Sequence, residues 1–379
     1  MKNENLKAEE KGIGQQGIAF SNNALRAMII PLFLEQLLVM FVGLADTFIV
    51  SYVGEAAVSG VSLVNQFNTI FIYLFTALAS GGAVVISQYL GREAKEKAGE
   101  AASQLLSFSV CFSLMLMILA LWGNENILSL LFGRVDRDVM QACVTYLRIS
   151  AYSYPALAIY NSGAALFRSM GRTDVTMYLS AVANVINIVG NLIGVFILQA
   201  GVAGVAYPSL LARTFSAVVI TWLCFHEKQG AAYQWRWLLH CHGRLMERIL
   251  RIAVPNGVEN GIFQLVKVAL SSIVALFGTS QIAANGVAQS IWSLAALAGV
   301  SMGPVFITVI GQSMGNGNPR AAEAYFEKLL RITILFSSVW NVLILLLTPL
   351  FLQFYALQPE TKQLVIWLVL IHNLFNALA

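Results

Sequence analysis

The chain has 379 residues, of which 58% are hydrophobic and only 11% are charged, and its mean hydropathy is +0.72. A soluble domain carries about a quarter charged residues, so this composition excludes an ordinary soluble protein and indicates one embedded in a membrane. The formal net charge of +4 does not indicate a nucleic-acid partner, because the basic residues are spread over short loops between apolar runs. Long apolar runs without strand-like alternation predict an all-α polytopic membrane protein.

In chain order, the sequence begins with a polar segment, residues 1–26, that carries both signs of charge and no cleavable signal pattern. Six predicted spans then form a first bundle, 27–225, and a basic linker, 226–251, leads to four spans of an incomplete second bundle, 252–379. The ten predicted spans are 27–50, 58–87, 101–122, 139–167, 175–198, 204–225, 252–277, 282–311, 332–352 and 363–379.

The basic residues are distributed unevenly between the two ends of these spans. Of the 23 Lys and Arg residues, 17 lie in the amino-terminal segment and in the loops after the even-numbered spans, whereas three lie in the other loops. Because cytoplasmic loops carry the positive excess, this count predicts a multi-pass protein of the inner (plasma) membrane with a cytoplasmic amino terminus.

Residue pairs recur at a constant offset of 224 positions, which indicates an internal duplication. The pairs are Pro31 and Pro255, Glu35 and Glu259, Gly54 and Gly278, Gln88 and Gln312, Gly91 and Gly315, and Ala98 and Ala322. Six spans per copy is an even number, so the two copies are predicted to be parallel repeats. The second copy is then incomplete, with four of its six spans, so that about ten of twelve helices are present in the whole chain. We expect the natural protein to extend beyond Ala379, or the sequence to be a fragment of it.

Several motifs occur in a fixed order: "PLFLEQLLVMFVGLADTFIVSYVG", "SQYLG", "LFRSMGRTD", "NIVGNLIGVF", "GVAGVAYPSL", "PNGVENGIFQLVK" and "GQSMGNGNPRAAEA". The ordered set resembles the multidrug and toxic compound extrusion (MATE) family of cation-coupled antiporters. The resemblance implies two six-helix lobes arranged as a V, a central cavity, and alternating access driven by H⁺ or Na⁺. It also implies amphipathic, organic-cation substrates, and we expect a monomer in the lipid bilayer with no cofactor apart from the transported ion.

Charged side chains inside spans are costly, by roughly 2.5 to 3.5 kcal/mol at a helix centre, so each one requires an explanation. The six are Glu35, Asp46, Arg148, Arg213, Glu259 and Lys267. A carboxylate at Asp46 can bind a proton or a metal cation and thereby bias a conformational equilibrium, and the resemblance places a coupling Asp at this motif position. The alternative is a structural Asp that hydrogen-bonds to a neighbouring helix.

The fifth span adds neutral polar groups that suit cation coupling. Asn187 and Asn191 lie one turn apart on one helix face, and their amides can bind Na⁺ or relay a proton. Many members of the family carry Asp at the position of Asn191, so one acidic group is absent and the coupling ion stays open between H⁺ and Na⁺. The alternative is interhelical hydrogen bonding, worth about 0.6 kcal/mol per contact. By resemblance, Asn161 and Ser209 line the same lobe.

The seventh and eighth spans supply the predicted second-lobe wall of the substrate cavity. Glu259 and Lys267 lie about two turns apart on one face and can bracket a substrate path. Alternatively, Glu259 repeats Glu35 near the membrane boundary, where both glutamates cap a helix or snorkel. Lys267 requires an anionic partner, for which Asp46 is a candidate. The rings of Phe263 and Trp292 can stack on a flat cationic drug, with Gln264 lining the same cavity. Alternatively, the two rings pack against other side chains or contact lipid.

Other chemistry is not predicted. The run from His240 to His242 offers adjacent ligands that cannot surround one zinc ion, so no metal site is expected. No catalytic residue and no phosphate-binding Gly-Lys loop are found, which argues against an enzyme or an ATP-driven pump. The four cysteines are expected to be reduced. Two alternatives to drug efflux stay open: a flippase for lipid-linked saccharides of related fold, and a non-transporting membrane scaffold.

Overall fold

The structure is a computed structural model that describes residues 20–124, 128–129, 136–228, 230–238, 242–277, 279–354 and 358–376. Within these ranges the chain forms twelve α-helices and no β-strand. The helices are α1 Asn22–Ser51, α2 Glu55–Gly91, α3 Lys95–Trp122, α4 Arg137–Ala151, α5 Tyr154–Ser169, α6 Thr173–Leu192, α7 Ala203–Phe225, α8 Trp235–Leu238, α9 Gly243–Ala275, α10 Thr279–Gly315, α11 Pro319–Phe351 and α12 Pro359–Asn376. A π-helical turn, Ile193–Ile197, extends α6, and a 3-10 turn, Leu352–Phe354, follows α11.

The all-α membrane fold predicted from the sequence is confirmed. In the part of the chain that the structure describes, seven helices are long and apolar enough to cross a membrane. The predicted fourth span, 139–167, is instead two shorter helices, because α4 ends at Ala151 and α5 begins with Pro155 in its first turn. Proline lacks the N–H that a continuous helix would need at this point. The seventh predicted span, 252–277, corresponds to α9, which begins earlier, at Gly243. This first part of α9 includes Arg244, Arg248 and Arg251.

The first lobe, defined here as α1–α7, is organised around α2. This helix packs on α3, α4 and α5, while α1 packs on α6, and α7 packs on both α5 and α6. Small residues permit close approach at several of these crossings: a Cβ at Gly60 would touch Ala142 on α4, and one at Gly190 would touch Pro208 on α7. Close contacts between small residues are the typical packing mode of membrane helices.

The internal repeat is visible in the turns that end α2 and α10. Glu93 has φ of +59° and Gly317 has φ of +75°, and the two positions are 224 residues apart. The backbone N–H of Glu93 donates to Leu90 O and that of Ala94 to Tyr89 O. The equivalent bonds after α10 run from Gly317 to Met314 and from Asn318 to Ser313. The duplicated sequence therefore builds the same left-handed helix end twice.

The two lobes, α1–α7 and α9–α12, meet along a reciprocal contact that we call the seam, formed by Gln88, Gly91, Gln312 and Gly315. A Cβ at Gly91 would overlap the backbone of Gln312, and a Cβ at Gly315 would overlap that of Gln88. Gln312 Nε2 also donates to Ser169 O at 2.7 Å, within a buried environment. The seam lies at the end of the bundle where α2 ends, next to the loops that hold the excess of Lys and Arg.

A second contact between the lobes lies between α2 and α9, further from the seam. Where α2 and α9 approach closely, a Cβ at Gly81 would touch Ala253, and one at Gly257 would lie 3.6 Å from the Cβ of Ala77. Beyond Gly257, α9 exposes Ile262 and Phe263, at 55% and 52% of their surfaces. The first half of α2, which is the half further from the seam, is likewise exposed at Asn65 and Ile70. These side chains are therefore not covered by the opposite lobe.

Candidate functional site

The first-lobe site is a chain of hydrogen bonds that begins at Asp46 on α1. Asn191 Nδ2 donates to Asp46 Oδ1 at 2.6 Å and approaches Asn187 Oδ1 at 3.2 Å. Asn187 Nδ2 donates in turn to Ser209 Oγ on α7 at 2.8 Å. Asn187 and Asn191 share a face of α6 because they are one turn apart, and α6 packs between α1 and α7. The structure thus brings together four of the predicted site residues.

One polar atom in this series of hydrogen bonds has no hydrogen-bond partner. Asn191 is fully buried, its amide nitrogen serves Asp46 and Asn187, and its Oδ1 atom is unpaired within the described residues. An unpaired buried carbonyl oxygen is unfavourable, since it has lost its hydrogen bonds to water. A cation held by Asp46 can supply the missing interaction, because amide and carboxylate oxygens are ligands that hard cations accept.

A small open cavity lies next to Asp46, between α1, α2, α4 and α7. Its polar lining comes from Asp46, Thr47, Ser62, Asn65 and Tyr146. Asn65 and Tyr146 hydrogen-bond to each other. Asn65 and Tyr146 were not predicted, because a single Asn or Tyr in an apolar helix carries no signal of which neighbour it faces. The cavity gives Asp46 a route to the surface.

A half-buried positive charge acts on Asp46 from α7. Arg213 on α7 donates from Nη1 to Ser153 Oγ at 2.7 Å, at the break between α4 and α5. Its charge lies close enough to act electrostatically on both Asp46 and Tyr154. Sequence analysis counted Arg213 as a charge inside a span but did not predict its place beside Asp46. The broken fourth span is what exposes the Ser153 hydroxyl to the guanidinium.

Asn161 is not joined to this chain of hydrogen bonds. It lies on α5, and its Nδ2 atom is buried without a partner in the described part of the chain. Asn184 on α6 has the same property. The structure therefore groups Asp46, Asn187, Asn191 and Ser209, and leaves Asn161 apart from them.

Glu35 forms a second polar network in the first lobe. Its Oε1 atom accepts from Arg168 Nη2 at 2.7 Å and from Tyr160 at 3.1 Å, and Oε2 accepts from Thr176 at 2.9 Å. Glu35 is 3% exposed, so the prediction that it caps a helix or snorkels is wrong: it joins α1 to α5 and α6 inside the lobe. Its repeat partner Glu259 is exposed and forms no hydrogen bond or ion pair within the described residues.

Lys267 lies between two aromatic rings of the second lobe. Its Nζ atom is 4.9 Å from the ring centroid of Phe263 and 4.6 Å from that of Trp292. The candidate ion pair between Lys267 and Asp46 is not formed, and Asp46 instead accepts from Asn191 within the first lobe. Phe263 and Trp292 contact this internal ammonium, whereas sequence analysis left their faces open between a cationic drug, packing and lipid. Gln264, next along α9, is half-buried.

The histidine-rich run is only partly within the described chain. His240 and Cys241 lie outside it, while His242 Nδ1 is 2.9 Å from Glu100 Oε1 on α3. Cys111, Cys143 and Cys224 are free thiols. The segment before α9 also packs on α3, where Gln234 N donates to Ser103 Oγ at 3.0 Å, so this part of the predicted linker is docked onto the first lobe.

The chain matches a family model described as MatE over residues 31–193 and 255–375. It is 25% identical over 305 residues to the uncharacterized transporter YisQ of Bacillus subtilis, covering 79% of this chain and 66% of that protein. It is 22% identical over 338 residues to the probable multidrug resistance protein NorM of Thermotoga maritima, covering 88% of this chain and 72% of that protein. The chain therefore spans about two thirds of the length of these relatives.

Solved structures share the fold. A MATE protein in the straight conformation superposes with a TM-score of 0.86 and 21% identity, covering 94% of this chain and 79% of that one. A MOP superfamily transporter from Pyrococcus furiosus, for which a reversed polarity of the binding pocket suggests a different function, superposes with a TM-score of 0.85 and 19% identity, over the same shares of the two chains. At these identities the likeness concerns the fold alone.

Proposed function

Since this chain belongs to the MATE family of membrane transporters, we propose that it exports small amphipathic molecules in exchange for H⁺ or Na⁺, with Asp46 as the residue that binds the coupling cation. The relatives described as multidrug resistance proteins support export of drugs or toxic metabolites as the biological task. The organic-cation substrates and the cytoplasmic amino terminus belong to the same proposal.

The observation that carries the proposal is the hydrogen-bond chain from Asp46 to Ser209. Its only acid is Asp46, its other members are neutral, and the unpaired Asn191 Oδ1 adjoins the carboxylate. A proton or Na⁺ arriving at Asp46 changes the charge of the group that accepts from Asn191. Because these hydrogen bonds join α1 to α6 and α7, cation binding alters the contacts among three helices at once.

Arg213 gives this exchange an electrostatic basis. Its fixed positive charge acts on Asp46, so the site is near neutral without a cation and positive with one. An added cation therefore meets a competing charge, which favours its release once the site faces the compartment of lower cation concentration. Binding must be reversible in this way for a coupling ion to complete a transport cycle.

The seam supplies the barrier for alternating access in this proposal. The lobes contact each other near Gly91 and Gly315, whereas Asp46 and its cavity lie at the opposite end of α2. Transport requires the seam to open and the far end to close. A coupling ion drives this change only if it binds the two arrangements with different affinity.

The test is uptake of ethidium by everted membrane vesicles on an imposed Na⁺ or H⁺ gradient. We expect uptake on one gradient, and at least a tenfold loss in Asp46→Asn, because an amide neither releases a proton nor carries the charge that holds Na⁺. The matched control is Asp174→Asn, which alters an exposed acid in the first turn of α6. The ion whose gradient drives uptake is the coupling ion.

Two results would contradict the proposal. Uptake by Asp46→Asn equal to that of the wild type would remove Asp46 from coupling. No uptake on either gradient, with the protein confirmed in the membrane, would favour the flippase or the non-transporting scaffold.

A further inference from the structure

Lys267 carries an unbalanced charge on α9 of the second lobe. It lies in the last third of α9, is half-buried, and forms no ion pair with any acidic residue that the structure describes. Asp46 bonds to Asn191 in the other lobe, and Glu259 lies two helical turns away from Lys267 along α9. A charged residue at membrane depth usually has a counter-charge, so the partner of Lys267 comes from outside the described protein.

The aromatic rings stabilise this ammonium group without saturating it. The faces of Phe263 and Trp292 attract its charge, but they accept none of the usual hydrogen bonds from its three N–H donors. The two faces are therefore already occupied by a cation, while the donors are free to bind an anion. This is the opposite of an empty aromatic cage that waits for a cationic ligand.

A second polar group at the same place also has no partner. The ring of His372 on α12 lies 6.5 Å from that of Trp292, and its Nδ1 atom is buried with no hydrogen bond within the described residues. Lys267 and His372 thus both place a polar group near the Trp292 ring. The surrounding wall is apolar, with Ile262 and Val266 exposed on α9 beside Phe263.

We propose that Lys267, Phe263, Trp292 and His372 form a binding site for an anionic group carried by a flat apolar body, such as an aromatic carboxylate. The inference rests on the proposed transport function and refines its substrate class: amphipathic organic cations that also carry an anionic group, that is zwitterions, in preference to simple cations. The anionic group pairs with the Lys267 ammonium, and the ring of the ligand lies against the aromatic wall. A purely cationic ligand meets a like charge at this point, and its binding is weakened.

The experiment measures binding of three matched probes to the purified full chain in neutral detergent by calorimetry: 2-naphthoate, 2-naphthalenemethanol and 2-naphthylmethylammonium. We expect 2-naphthoate to bind about tenfold or more tightly than the ammonium probe, with the alcohol between them. Lys267→Met keeps the length of the side chain and removes its charge, and is expected to abolish this preference. Lys267→Arg retains both the charge and the aromatic contact, and is expected to keep it.

A matched control removes a positive charge elsewhere. Arg331→Met changes an exposed residue on α11 that pairs with Glu327, and it is expected to leave the order of the three probes unchanged. Dihexanoyl phosphatidylglycerol serves as a fourth probe. If it binds through Lys267 more tightly than 2-naphthoate, the anionic group belongs to a lipid headgroup, whereas tighter 2-naphthoate binding assigns it to a small aromatic acid.

The proposal is overturned if the ammonium probe binds the wild type as tightly as 2-naphthoate, or if Lys267→Met binds 2-naphthoate unchanged. The comparison of probes on the wild type decides the first point even if a variant does not fold. Because these measurements need no ion gradient, they are separate from the transport test. Charge-selective binding without gradient-driven flux would contradict the transport proposal alone, and flux without charge selectivity would contradict this one alone.

Discussion

At the scale of the residue, the Glu35 network shows how one charge inside a span is accommodated. Glu35 and Arg168 have side chains that are 5% and 21% exposed, and Tyr160 and Thr176 complete the hydrogen bonds of the carboxylate. Removing one member of a buried ion pair leaves the other uncompensated, at a cost of about 3 to 5 kcal/mol. The carbonyl of Arg168 also accepts from Thr308 of the second lobe at 2.8 Å, so the ion pair adjoins the contact between lobes.

We therefore expect Glu35→Gln to lower the free energy of unfolding by about 3 kcal/mol, measured by denaturant titration of the purified protein. The control is its repeat partner, Glu259→Gln, because Glu259 is exposed and has no ion pair within the described chain. Equal effects of the two substitutions would mean that the Arg168 pair does not stabilise the lobe.

At the scale of the element, the seam depends on two helices that approach through glycine. A Cβ at position 315 would overlap the carbonyl of Gln88, so α2 and α10 have to separate to accept it. We expect Gly315→Ala to destabilise the closed seam by roughly 1 to 3 kcal/mol, as overpacking does in other tight contacts. Spin labels on cysteines introduced at Glu93 and Arg320, with Cys111→Ser, should report longer and broader distances between the lobes.

The control for this substitution lies on the same helix. Gly303 of α10 has nothing within 4 Å of a built Cβ, so Gly303→Ala should leave the distance distribution as it is. If Gly315→Ala gives the wild-type distribution, the close approach of Gly315 to Gln88 does not hold the lobes together.

At the scale of the whole molecule, transport requires the two lobes to move relative to each other. The Cβ of Ala77 on α2 and a Cβ built at Gly257 on α9 are 3.6 Å apart, which falls in the range that a disulfide spans. We expect the double variant Ala77→Cys, Gly257→Cys to lose ethidium uptake on oxidation and to regain it with a reductant. Each single variant should transport under both conditions, and undiminished uptake by the oxidised, crosslinked protein would rule out movement between these helices.

The sequence by itself determined the membrane character, the helices, the repeat and most of the first-lobe site. Composition and apolar runs need no partner to be interpreted, the duplicated register is covalent, and Asn187 and Asn191 share a face through the period of one helix. The coupling role expected of Asp46 came from a family resemblance, and its contact with Asn191 came from the structure. Even so, the break before Pro155 was missed, because the apolar pattern continues across it.

Only the tertiary structure decided which charged groups meet. Glu35 and Glu259 occupy equivalent repeat positions, yet one is buried against Arg168 and the other is exposed. Lys267 was expected to meet an acid and instead lies between Phe263 and Trp292. A helix period states which residues share a face but not which face of another helix it meets, because that depends on packing between segments far apart in the chain.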